Sequence, residues 1–84
     1  MNKKQQATLN AIFARPTKAD IRWQAIESLI RALGGEVNER AGSRVVASLN
    51  GVTAVFHRPH PRPETEKGAV DAVRLFLTNA GVKP

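Results

Sequence analysis

Residues 44–57 read RVVASLNGVTAVFH, two alternating runs that meet at Asn50-Gly51. Asn-Gly is the strongest short-range signal for a two-residue hairpin, because both residues tolerate the positive φ of a type I′ turn. A loop of that length sets the register. Leu49 then faces Val52, Ser48 faces Thr53, Ala47 faces Ala54, Val46 faces Val55, Val45 faces Phe56, and Arg44 faces His57. Side chains alternate along a strand, so Val45, Ala47, Leu49, Val52, Ala54 and Phe56 share one side, which is predicted to be core. Arg44, Val46, Ser48, Thr53, Val55 and His57 share the other side, which ends in an arginine beside a histidine. That pairing suits the gripping of a phosphate and the movement of a proton.

Upstream of the hairpin, Glu36 to Arg40 reads as a short strand, and Ala41-Gly42 as the turn that joins it to Ser43 onward, with Gly42 at positive φ. The result is a three-stranded antiparallel meander. Downstream, Arg58-Pro59-His60-Pro61-Arg62-Pro63 is excluded from helix and central strand, because its prolines lack a donor and pin φ. It is predicted to be an exposed, stiff connection. Trp23, Ile26, Leu29, Ile30 and Leu33 fall at helical spacing, with Thr17 or Asp20 as cap and Gly34-Gly35 as the stop. Trp23 lies on that apolar stripe and reads as core rather than as a platform for base stacking. A last helix carries Val70, Val73, Leu77 and Ala80 on one face and stops at Gly81, with Glu64, Thr65 and Glu66 expected in its first turn. Lys3 to about Ala14 forms a further helix whose stripe, Leu9, Ile12 and Phe13, is incomplete. It is expected to lean on the domain or on a partner rather than to belong to the central core. The sheet has one apolar face and two amphipathic helices need burial, so both are predicted to pack on that face of an α+β fold.

The 84 residues suffice for one domain, 1–84, divided into an N-terminal helical extension, 1–16, and a core, 17–84. Lys and Arg number 13 against 7 Asp and Glu, a net charge of +6, which favours a polyanionic partner and above all nucleic acid. Solubility alone is the plainer explanation of such a charge. The chain has no cysteine, which excludes disulfides and thiolate zinc sites. No metal or cofactor is expected. No apolar run approaches the roughly 20 residues of a membrane-spanning helix, and the start of the chain leads into no signal-peptide core. A soluble, cytoplasmic protein with no membrane partner is expected.

A helix ending in Leu33-Gly34, a strand, Gly42-Ser43 opening a β-hairpin, a basic His-Pro connection, and a last helix running from Lys67-Gly68 to Asn79-Ala80-Gly81-Val82 together resemble HicA, the small toxin of a bacterial toxin–antitoxin pair. The resemblance covers roughly Asp20 to Val82 and rests on motif order. It implies a double-stranded-RNA-binding-domain-like fold, metal-independent cleavage of mRNA, and neutralisation by a HicB-like antitoxin. One departure stands out. The family pattern places its catalytic histidine directly after Gly-Ser, where this chain has Arg44. An arginine stays protonated and makes a poor general base, so the role does not transfer to it. His57, across the hairpin from Arg44, is the nearest place to which the chemistry could have moved.

Metal-free RNA cleavage needs a base for the 2′-hydroxyl proton, an acid for the departing 5′-oxygen, and positive charge on the phosphorane. Histidine suits the first two roles and arginine the third. His57 and His60 are therefore the catalytic candidates, and Arg44 with Arg58 the candidate phosphate clamp. Arg40, Arg62 and Lys67 bracket the same hairpin end and loop, and Ser43 could donate a hydrogen bond to a phosphate. Each has a plainer alternative: His57 as the cap of a sheet edge, His60 as a displayed surface residue, Ser43 as the first residue of a strand, and the cations as solvated charge. Two functions follow, a HicA-like endoribonuclease toxin or a catalytically inactive module of the same fold that binds nucleic acid or antitoxin.

Overall fold

The computed structural model describes residues 1–84. The hairpin forms in the expected register: β2 (Arg44–Leu49) pairs antiparallel with β3 (Val52–His57), from Leu49 opposite Val52 to Arg44 opposite His57. Asn50 (φ 50°) and Gly51 (φ 81°) both take the positive φ of the tight turn. The Asn50 side chain also donates to the Ala80 carbonyl at 2.8 Å, tying the turn to the far end of the chain. β1 (Glu36–Glu39) adds to the other edge of β2, Val37 opposite Ala47, giving the order β1-β2-β3. The ladder continues one residue past β1, since the Arg40 N–H donates to the Arg44 carbonyl at 2.7 Å.

Val45, Ala47, Leu49 and Phe56 are buried on one face of the sheet, with Val52 and Ala54 half-buried beside them. Against that face lie α2 (Trp23–Ala32), along β1, and α3 (Lys67–Asn79), along β3. Trp23, Ile26, Leu29 and Ile30 of α2 and Val70, Val73, Phe76 and Leu77 of α3 are buried, as their helical spacing requires. Trp23 is core: its ring meets Phe56 edge-on at 5.8 Å, and its indole N–H donates to Glu27 Oε2 at 2.9 Å. The fold is α+β, with three helices and a three-stranded antiparallel sheet. No helix is long and apolar enough to cross a membrane.

Three sequence expectations need correction. The first concerns α1 (Lys3–Phe13), which belongs to the core after all: Leu9 and Ile12 are buried within it, and the helix packs across α2 and α3. Its short stripe suffices because Arg74 on α3 donates to the carbonyls of Ile12 (2.8 Å) and Ala14 (3.4 Å), clasping the end of α1. Its start is closed by a capping box between Asn2 and Gln5.

The second concerns the start of α2, where neither Thr17 nor Asp20 is the cap. Arg22 occupies that position without a side-chain bond, and Thr17 instead donates to Asp71 at 2.9 Å. Backbone from the proline-rich connection closes the helix start, the Trp23 N–H donating to the Pro63 carbonyl at 3.0 Å, and just before the helix the Ile21 carbonyl accepts the Thr65 N–H at 2.8 Å. The same pairing gives the third correction. Glu64 bridges antiparallel to Arg22, so Glu64 and Thr65 precede α3 and Glu66 is its N-cap residue.

Candidate functional site

The turn before β2 aligns the first group of candidate residues. Ala41–Ser43 forms a tight turn in which Gly42 (φ 73°) and Ser43 (φ 64°) are both left-handed. Ser43 therefore does not begin the strand. A serine in that conformation carries a cost on the order of 1 kcal/mol, held in place by its surroundings. Its carbonyl accepts the Arg58 N–H at 2.7 Å, closing the hairpin below Arg44 and His57.

Arg44 and His57 are direct cross-strand partners, both exposed, on the face of the sheet away from the helices. Arg40 joins them. It is exposed, extended (φ −122°, ψ 171°), and opposite Arg44, so by strand alternation it projects on that same face. The row Arg40, Arg44, His57 crosses one end of the sheet. Arg44 Nε donates to the Ala41 carbonyl at 3.3 Å, which holds the side chain back over the turn.

Arg58 is placed differently. One position past His57, it falls on the opposite side of the ribbon, and its Nη1 pairs with Glu39 Oε1 at 2.7 Å. Both side chains remain partly exposed, so the pair is a modest interaction, yet it offsets one of the two charges assigned to a clamp. The sheet thus separates Arg44 from Arg58.

The proline-rich connection builds a second group. His57, Arg58, His60, Arg62 and Lys67 all line one open recess of about 640 Å³ between the end of β3 and the start of α3. Arg40, Ser43 and Arg44 lie outside that lining, so His57 is the residue common to the exposed row and the recess. Arg62 and Lys67 take part in no ion pair; the three ion pairs of the chain engage Arg31, Arg58 and Arg74. Two lining residues escaped the sequence reading, the carboxylates Glu64 and Glu66. Glu64 bridges to Arg22 and Glu66 is the N-cap residue of α3, so neither lies within the helix turn that the sequence predicts for them. Thr65 forms part of the same wall, and its buried Oγ1 has no hydrogen-bond partner.

The arrangement offers an imidazole at the junction of an exposed cationic row and a recess lined by Arg58, Arg62 and Lys67 together with the carboxylates Glu64 and Glu66. A family model, the HicA toxin of bacterial toxin–antitoxin systems, matches residues 23–82, most of the chain. The chain belongs to the HicA toxin family. Membership implies an antitoxin partner, and the matched span begins at the first residue of α2, leaving α1 outside it. Comparisons with curated proteins and with solved structures each returned no match.

Proposed function

We propose that this HicA-family chain is a metal-independent endoribonuclease that cleaves mRNA in the cytoplasm and is neutralised by a HicB-like antitoxin covering its basic face. The observation that carries the reading is the cross-strand pairing of Arg44 with His57, both exposed on the free face of the sheet. In this reading His57 takes the proton of a ribose 2′-hydroxyl as its oxygen attacks the adjacent phosphorus. The bond from phosphorus to the 5′-oxygen breaks, and His60, which also lines the recess, supplies the proton to that leaving oxygen. Arg44 and Arg40 hold the phosphate whose charge rises in the phosphorane, with Ser43 beside them, while Arg62 and Lys67 take the flanking phosphates. Arg58, shared with Glu39, has a lesser part. The products are a 2′,3′-cyclic phosphate and a free 5′-hydroxyl.

A second reading is favoured by Arg44 itself, which replaces the histidine of the family pattern. In it the chain is a catalytically inactive HicA-like module that binds nucleic acid or antitoxin. One set of reactions separates the two. Incubation of the purified chain with RNA in EDTA is expected to give fragments ending in cyclic phosphate, and His57→Ala is expected to lower the rate at least about 100-fold, the usual worth of a general acid or base. Binding without cleavage would establish the second reading, and cleavage unchanged in His57→Ala would remove His57 from the chemistry. Cleavage gained in Arg44→His by an otherwise silent chain would mark a site that lacks only its base.

A further inference from the structure

β3 is an edge strand, bonded to β2 on one side only. Because Arg58 and Ser43 form a bonded pair, ladder alternation turns the N–H and C=O groups of Thr53, Val55 and His57 outward, away from β2. None of these groups meets another segment of the chain. Edge strands are ordinarily blunted by a lysine, a proline or a bulge, and Val52–His57 has none of them. Beside this edge runs an uncharged groove of about 230 Å³ between β3 and α3, lined chiefly by apolar residues. Both large apolar side chains left exposed outside the N-terminus, Val55 (60 %) and Leu75 (61 %), lie on it.

We infer that the β3 edge is a self-association surface, on which a second copy of this chain pairs antiparallel to form a continuous six-stranded sheet. A two-fold axis between the two copies of Val55 sets Val55 against Val55 and Thr53 against His57, so that every outward backbone group of the edge is bonded. The groove carries no charged side chain to draw an acidic or a basic partner, which favours a copy of the same apolar patch as its occupant. The placement of charge at the two ends of β3 selects the direction. One end of β3 gathers His57, Arg58, Arg62 and Lys67, whereas the turn end presents the uncharged Asn50, Gly51 and Asn79. Antiparallel pairing lays the basic end of one copy beside the neutral end of the other. The two His57 residues are then about 14 Å apart along the strands, beyond the screening length of about 8 Å at physiological salt. Parallel pairing would stack the basic ends. The dimer also sets the two rows of Arg40, Arg44 and His57 on one uninterrupted sheet face.

Sedimentation equilibrium of the full chain alone, over a concentration series, is expected to give twice the chain mass. Val55→Lys, which places two ammonium groups face to face, and Leu75→Glu are each expected to weaken dimerisation about tenfold or more. Hydrogen exchange on the unmodified chain provides a test that no variant can confound: the amides of Thr53, Val55 and His57 should become protected as the dimer forms. A chain that stays monomeric throughout the series, including one whose edge pairs only with an added antitoxin, overturns the inference. So does a dimer whose edge amides remain unprotected, or one that both substitutions leave intact.

Discussion

Gly35 shows how little room the junction between α2 and β1 allows. A Cβ added there would sit 2.7 Å from the Ser48 carbonyl oxygen and 2.8 Å from Ile30 Cγ2, and the former is backbone of the central strand. The helix end is thus seated directly on β2 rather than spaced from it by a side chain. Gly35→Ala is expected to cost about 1–3 kcal/mol, the range for forcing one methyl into a filled core. Urea unfolding followed by tryptophan emission would check it, since Trp23 is buried in the same core. Nothing in composition distinguishes Gly35 from Gly34, which ends the helix at φ 94° with open space around it. Both read as one stop signal in the chain, and only packing gives them separate tasks.

Among the elements, α1 depends most on a single side chain. Arg74 is nearly enclosed, at 12 % side-chain exposure, and besides the carbonyls of Ile12 and Ala14 it reaches Thr17 Oγ1 and Asp71 Oδ1, both at 3.0 Å. Its charge is spent on the carbonyls at the end of α1, which a helix leaves unsatisfied. Arg74→Ala is expected to destabilise the chain by about 2–3 kcal/mol, as a hydrogen-bonded charge does when its acceptors are left unpaired. Hydrogen exchange should show α1 amides opening before those of the sheet. Arg31→Ala provides the contrast, expected to cost less than about 0.5 kcal/mol because that side chain is 55 % exposed in its pair with Glu27.

Across the whole molecule, the net charge of +6 matters less than where unpaired cations collect. Arg58 and Arg74 are engaged by carboxylates, while Arg40, Arg44, Arg62 and Lys67 have no ionic partner and lie at one end of the sheet or in the recess that continues from it. If those four neutralise four phosphates of single-stranded RNA, log affinity should fall against log salt with a slope of about −3. Replacing Arg62 by glutamine should reduce that slope by about 0.7, whereas Arg31→Gln, in another part of the molecule, should leave it unchanged. Filter binding over a salt series would measure both.

Much of this architecture was legible along the chain because it rests on short-range rules. The Asn50-Gly51 turn admits one register, and that register alone placed Arg44 opposite His57 and sorted the hairpin into a buried and an exposed face. The period of α2 and α3 marked their buried stripes for the same reason: the geometry repeats within a few residues. Tertiary structure alone decided the rest. It paired Arg58 with Glu39 across 19 positions, brought Arg74 to the end of α1 across more than 50, capped α2 with backbone from Pro63, and turned Glu64 and Glu66 toward the recess. Each of these joins groups far apart in the chain, and a local pattern records that a side chain is polar without recording which distant group will satisfy it.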